Sequence, residues 1–298
     1  MAVEVINTVL IAASATAPAG AYDLTDLKTV YDELNLPASN TADAAFLQRA
    51  ISQASRTIAS YCNRVFPVEA VQDEIFIQQD PYPWQVPGGV YALQLSRWPL
   101  VGTPPVIFTG NTHGTTLVDG IASTAGLSAG MLAFAADGSL PSTAAIEAVS
   151  ANSVTLTESA TSSETGLSLT AGMQVVQTLS ATEAQTLVYG TDFTIDAAKG
   201  WLIRLNNFNG ASERWESEPV TVRYQAGYAS IPDDLVDACL RLVTMRYKLR
   251  GRDPTLRSRG EPNLGQEQYW IGTLPGQRGS LPPEIQALVD PYRVPVTA

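Results

Sequence analysis

Val220-Thr221-Val222-Arg223-Tyr224-Gln225-Ala226-Gly227-Tyr228-Ala229-Ser230-Ile231-Pro232-Asp233-Asp234-Leu235-Val236-Asp237-Ala238-Cys239-Leu240-Arg241-Leu242-Val243-Thr244-Met245-Arg246-Tyr247-Lys248 is the stretch in which the chain changes its period. Val220 to Gln225 has strand character, and Gly227 breaks it. From Pro232 onward Leu235, Val236, Cys239, Leu240, Val243 and Tyr247 recur at spacings of three and four, the signature of one buried helix face. Proline suits a first helical position, and Asp233, Asp234 and Asp237 suit the positive end of the helix dipole. A strand leading into a long helix predicts an α+β chain.

Upstream, Phe46, Leu47, Ala50, Ile51, Ala54, Ile58 and Tyr61 predict a second long helix over Asn40 to Cys62, with a shorter one over Thr25 to Leu34. Strands are expected at Val71 to Ile77, Tyr91 to Leu95, Val106 to Phe108, Thr186 to Ile195 and Trp201 to Leu205. Downstream, the frequent Gly and Pro from Gly251 to Pro283 exclude a regular element, and a last short helix is expected at Glu284 to Val289. Val3, Val5 and Val9 to Ile11 are available for strand pairing. Val9 to Ala13 superficially resembles the apolar part of a secretory leader, but the first charge is Glu4 and the first basic residue Lys28, so the positive start is missing.

Charge divides the chain. Residues 1–108 hold 5 basic and 10 acidic side chains, residues 109–185 hold 0 and 6, and residues 186–298 hold 13 and 13. The middle segment is rich in Gly, Ser, Thr and Ala, and Ile146 to Val149, Asn152-Ser153 and Val154 to Thr157 read as a hairpin within it. Gly126 to Met131 is loosely echoed by Gly166 to Met173, through two similar β units or through biased composition. The expected organisation is an extended arm over 1–22, a discontinuous core over 23–108 and 186–250, an inserted β-rich module over 109–185, and a C-terminal arm over 251–298. The inserted module reads as all-β, set within a core of helices and strands.

Composition also excludes function classes. A net charge of -11 opposes nonspecific attraction to phosphate backbones and anionic lipids. One histidine and two cysteines, Cys62 and Cys239, are too few for a Cys/His zinc site, and no metal or cofactor is expected. The two cysteines permit one disulfide, but a reducing compartment is the simpler reading. No apolar run approaches the roughly 18 residues of a membrane span, so no membrane partner is expected. Walker A, G-x-G-x-x-G and Asn-x-Ser/Thr patterns are missing. Gly126-Leu127-Ser128-Ala129-Gly130 matches a hydrolase nucleophile elbow, but the only histidine, His113, precedes the serine and no helix follows it. No catalytic residue is expected. What stands out is Arg241, Arg246, Lys248, Arg250, Arg252, Arg257 and Arg259 against the single acid Asp253. The like charges of Arg246 and Arg250, four apart, point to an external acidic partner, while cations in a last helical turn also complement the dipole.

Four blocks together resemble the head-to-tail connector (adaptor) proteins of long-tailed double-stranded DNA bacteriophages and gene transfer agents. They are Leu24-Thr25-Asp26-Leu27-Lys28 leading to Tyr61-Cys62-Asn63-Arg64-Val65-Phe66; Leu95-Ser96-Arg97-Trp98-Pro99-Leu100-Val101; Asp192-Phe193-Thr194-Ile195-Asp196 with Gly200-Trp201-Leu202-Ile203-Arg204-Leu205; and Val220 to Tyr228 running on through Ile231-Pro232-Asp233-Asp234-Leu235. The resemblance covers about residues 23–108 and 186–252, with a weaker echo from Leu281 to Arg293; the 109–185 segment departs from it. It implies an α+β fold, a small helical bundle with a flanking β-sheet to which the all-β module is added, assembled as a homo-oligomeric ring, usually twelvefold, beneath the portal protein. The ring would hold the next neck or tail component, a stopper or tail terminator, and pass double-stranded DNA through its lumen without specific binding. The location implied is the virion neck, after assembly in the host cytoplasm. On this reading Arg241 to Arg259, with Tyr269, Trp270 and Ile271 as an apolar anchor, form the portal or subunit interface. The alternative from another class is a secreted or surface-exposed β-domain binding protein without catalysis; a hydrolase using Ser128 is more remote.

Overall fold

The computed structural model describes residues 3–13, 20–77, 85–86, 90–135, 137–179, 183–216, 218–250, 258–261, 265–268 and 281–294. The chain divides into two compact units, residues 1–13 with 68–229 and residues 14–67 with 230–298. The first is built of β-sheets and the second mainly of helices, so the α+β class read from the sequence is the observed one.

The helical unit packs α1 (Leu27–Glu33), α2 (Ala44–Cys62), α3 (Asp233–Lys248) and α4 (Pro283–Val289) against one another. The Asp26 side chain caps α1 by accepting from the Thr29 amide at 2.7 Å, a bond that also lowers the Asp26 pKa. At the end of α2, Asn63 takes the left-handed conformation (φ 50°) and turns the chain so that Phe66 is buried, its ring edge-on to Tyr292 at 6.3 Å. The α2 stripe buries Leu47, Ala50, Ile51, Ala54 and Ile58 as its periodicity requires, leaving Phe46 and Tyr61 at the margins.

On α3 the expected face is corrected. Leu235, Cys239 and Val243 are buried, but Ala238 and Leu242 join them while Val236, Leu240 and Tyr247 are half-buried. The reason is that α1, α2 and α4 all pack on α3, so three neighbours set its buried face. Pro232 is the residue before the helix, not its first. The expectation of no regular element between Gly251 and Pro283 is also corrected: Ser258–Glu261 pairs antiparallel with Gly265–Gln268. Glycine punctuates hairpins as readily as it ends structure, and here it occurs within both strands.

In the β unit, one sheet runs Val3–Ile11, Glu69–Ile77, Val220–Ala226, Gln174–Thr178, Ala184–Leu187, with Leu100–Val101 also on Val220–Ala226. The N-terminal stretch is therefore an edge strand, antiparallel to Glu69–Ile77 with Val5 opposite Ile75 and Asn7 opposite Asp73. A second sheet runs Ala133–Ala135, Leu167–Ala171, Val106–Thr112, Leu117–Asp119, Val154–Leu156, Ile146–Val149, every neighbouring pair antiparallel. A third joins Phe193–Asp196, Trp201–Arg204, Val90–Gln94 and Gln85–Val86. The single strand expected over Thr186 to Ile195 is thus two strands in different sheets. The Asp192 carboxylate, accepting from the Val188 amide at 2.7 Å, closes the bend between them. The Gly126 and Gly166 segments are not equivalent: the first lies on turns and the second leads into a strand.

The main sheet is tied by one buried carboxylate. Asp73, on the inward phase between Val71 and Ile75, accepts from Asn7 Nδ2 (2.7 Å), the Ser96 amide (2.8 Å), Ser96 Oγ (2.7 Å) and Tyr224 Oη (2.6 Å). Tyr224 in turn accepts from the Arg97 amide at 3.1 Å. Burial first, and then the Asp73 charge, push the Tyr224 pKa well above its usual 10. A phenol whose pKa is raised by folding stabilises fully below the unfolded value and loses that stabilisation as pH rises through the folded value. Tyr224→Phe should therefore cost about 1–3 kcal/mol at neutral pH. Comparing urea unfolding above and below pH 10 checks the sign: the wild-type advantage over the variant should shrink in base.

The second sheet has its own core, including Phe108, Val118, Ile121, Leu140, Ile146 and Leu169, separate from the core around Val71, Ile75, Val222 and Tyr224. Its entry and exit lie side by side. A Cβ on Gly172, at φ 97°, would collide with the Gly102 carbonyl oxygen, so only glycine permits this approach. Residues 174–178 and 184–187 share the low-charge composition of the middle segment yet pair into the main sheet. Replacing residues 104–171 by a short Gly/Ser linker should accordingly leave a helical protein that unfolds cooperatively, whereas removing 109–185 should not. Circular dichroism melts distinguish the two deletions.

Candidate docking interface

The cations that stand out in the sequence begin on α3, and Arg241, Arg246 and Arg250 are held from within the chain. Arg241 Nη2 lies 2.9 Å from Asp237 Oδ2, one turn back, and Arg241 Nη1 lies 3.8 Å from Glu284 Oε2 on α4. Arg246 Nη1 donates at 3.3 Å to the Ala50 carbonyl and at 3.3 Å to Gln53 Oε1, both on α2; its burial lowers its pKa. Arg250 pairs with Asp43 and lies over the Phe46 ring, 4.8 Å from its centroid. Lys248 is exposed. Arg252, Arg257, Tyr269, Trp270 and Ile271 lie outside the described residues, and Arg259 is on the Ser258–Glu261 strand, its side chain not described.

Arg246 and Arg250 therefore each have a partner within the chain, the neutral Ala50 carbonyl and Gln53 amide for Arg246 and the Asp43 carboxylate for Arg250. Asp43 is the hub: hydrogen bonds from Asn40 first, then Arg250, and one from Tyr247 at 3.2 Å, hold its carboxyl below the usual value of 3.8. Beside this cluster, a groove of about 420 Å³ opens between α2 and α3, lined by Phe46, Arg49, Ala50, Gln53, Arg246 and Leu249. Phe46, Ala50 and Leu249 give it an apolar part, and its charged groups are both guanidinium, so it can receive an apolar side chain carried beside an acidic one. Sequence reading found Arg246 and Arg250 but missed the groove. Phe46, at the margin of the α2 stripe, and Leu249, just after the α3 stripe, were the available signals.

The other candidates resolve simply. Ser128 is exposed on a turn, and His113 Nε2 pairs with Asp119 Oδ2 at 3.1 Å on the neighbouring strand. No group of three or more His, Cys, Asp or Glu that could hold a metal occurs among the described residues. No helix among them is long and apolar enough to cross a membrane.

No protein family and no curated protein matches the chain. The solved structures similar to it include two chains from gene transfer agent particles. One chain, from the neck of an empty GTA particle computed with C6 symmetry, is 13% identical, with a TM-score of 0.36 over 98% of this chain and 97% of its own. The other, from the virion of a native gene transfer agent particle, is 12% identical, with a TM-score of 0.32 over 92% of each chain.

Both cysteines are free and buried, Cys62 beside the Val289 carbonyl and Cys239 beside Ser55. Burial pushes the Cys62 thiol up to about 11 and the Cys239 thiol up to about 12. The thiolate is the reactive form, so both should resist a chromogenic disulfide reagent at pH 8 and react together once the protein is unfolded. A thiol that reacts at once in the native protein would contradict this packing.

Proposed function

We propose that the chain is a structural head-to-tail adaptor of a phage-like particle. On this reading it forms a homo-oligomeric ring beneath the portal, binds the next neck or tail component, and leaves a channel for double-stranded DNA. The observation that carries the reading is where the four resembling blocks fall. The first caps α1 through Asp26 and turns the chain after α2 at Asn63. The second supplies Ser96 and the Arg97 amide to the buried Asp73–Tyr224 knot, and the fourth supplies Tyr224. The third forms the Phe193–Asp196 and Trp201–Arg204 strand pair. The residues that carry the resemblance are thus those that join the fold.

Charge supports the same reading. The β unit holds 5 basic against 16 acidic residues, a net of -11, while the helical unit holds 13 of each. A β unit of that sign neutralises few phosphates, so DNA passing it releases few counterions and can slide. The chemistry proposed is docking and not catalysis. The arm after Leu249, with Arg252, Arg257, Arg259, Tyr269, Trp270 and Ile271, engages the portal or a neighbouring subunit; Arg241, Arg246 and Arg250 brace the helices behind it.

Co-sedimentation with portal-bearing heads tests this. The wild-type chain should attach. Arg252, Arg257 and Arg259 changed together to Glu should weaken attachment at least about tenfold, the effect of about 1.4 kcal/mol, without altering helical content. Arg250 is left in place because it holds Asp43. A wild-type chain that never attaches to heads would overturn the adaptor reading, and undiminished attachment by the triple variant would remove the arm from docking.

A further inference from the structure

The most exposed large apolar side chain among the described residues is Phe208, 98% accessible, at the tip of the loop Asn206-Asn207-Phe208-Asn209-Gly210. Exposed single apolar residues are ordinary, but this loop is built around one. The Asn206 amide donates to the Ala211 carbonyl at 2.8 Å, and the Gly210 amide to the Asn206 carbonyl at 2.8 Å. The three asparagine side chains are used locally. Asn206 Oδ1 accepts from the Phe208 amide at 2.9 Å while its Nδ2 donates to Glu213 at 2.8 Å. Asn207 Nδ2 donates to the buried Asp192 at 2.9 Å, and Asn209 Oδ1 accepts from the Ala211 amide at 3.0 Å. Gly210 sits at φ 68°, where a side chain would be strained. Each asparagine side chain of the loop makes a bond to the loop or its base, while the phenyl ring, exposed with Asn207, Asn209 and Gly210, is the loop's one large apolar group. A preorganised aromatic of this kind loses little entropy on docking, which is the property of an interface anchor.

The same chain offers a complementary recess. In the helical unit, Tyr22, Ala59, Val65, Phe66 and Pro67 line a cavity of about 210 Å³ with Arg56 at its rim. Cavities of roughly 150 Å³ accommodate a benzene ring, so one phenyl group fits. Charge is complementary as well. Arg56 is the charged lining residue, and the unit that carries the Phe208 loop holds the whole net charge of -11, with the exposed Glu216 shortly after the loop, Glu213 being held by Arg204 and Asn206. We infer that Phe208 of one copy docks in the Tyr22/Phe66 recess of a second copy, making a heterologous contact between subunits. A knob and a recess on different parts of one surface propagate head to tail and close into a ring where the rotation permits. The contact itself stands on the loop and the recess; its closure into a ring rests on the adaptor reading.

The test uses two full-length variants, Asn209→Cys, an exposed position beside the retained Phe208 ring, and Ala59→Cys, each retaining the buried Cys62 and Cys239. When the two are mixed under mild oxidation, a covalent species of two chains should form at least about thirtyfold faster than in either variant alone, the advantage expected of a hot-spot contact. Excess wild-type chain should suppress it, and excess Phe208→Ser chain should suppress it much less, because only its recess still competes. No mixed product above the single-variant background overturns the contact, as does equal competition by wild type and Phe208→Ser. Microscopy of the wild type and co-sedimentation with heads keep the two readings apart. Rings or head attachment without the cross-link sink this contact alone; the cross-link without either sinks the adaptor reading alone.

Discussion

A carboxylate with no solvent exposure persists only if its lone pairs are filled, and Asp73 is filled from three separate parts of the chain. Asn7 comes from the first strand, Ser96 from the segment after Val90–Gln94, and Tyr224 from the strand that leads to α3. Losing any one of them leaves a buried charge short of a partner. The knot therefore fixes the register of an edge strand that would otherwise be free to slip, and it fixes the Leu95 to Val101 segment against the main sheet. That segment ends beside Gly102, where the chain enters the second sheet, and Gly172 returns it to the first. The second sheet is thus anchored at a point the buried carboxylate helps define.

How much of this was legible depends on the range of the interactions. The two long helices, the 146–156 hairpin and the strand at 220 were read correctly because periodicity and turn chemistry are local. Asp73 left a trace: an acid on the apolar phase of Val71, Asp73, Ile75. Its partners lie 23, 66 and 151 positions away in sequence, and no local rule names them. The cation stretch shows the opposite failure. The repulsion between Arg246 and Arg250 is a local rule correctly applied, but the compensation comes from Gln53 and Asp43, 193 and 207 positions distant. Sequence therefore located the cations on α3, while their internal partners, the Gln53 amide and the Asp43 carboxylate, lie beyond any local rule. The Phe208 loop was equally hidden, since a lone phenylalanine among asparagines reads as an ordinary turn until every asparagine is seen turned to the loop or its base.

The two units divide the physical work. The β unit carries the net negative charge, the buried polar knot and the displayed aromatic; the helical unit is electrically balanced, with two recesses along α2 and the start of the C-terminal arm. An exposed aromatic and two recesses on one chain suit the association proposed for it. Internal ion pairs brace the helices that would bear such contacts, and the charge of the β unit discourages tight hold on DNA.

The central claim is that the chain assembles with itself into a closed ring. Native mass spectrometry of the purified full chain over a range of concentrations, alone and with portal protein, tests it most directly. The account predicts a single closed stoichiometry, either spontaneously or on the portal, that becomes dominant as concentration rises. A chain that stays monomeric throughout, portal present or not, would contradict it.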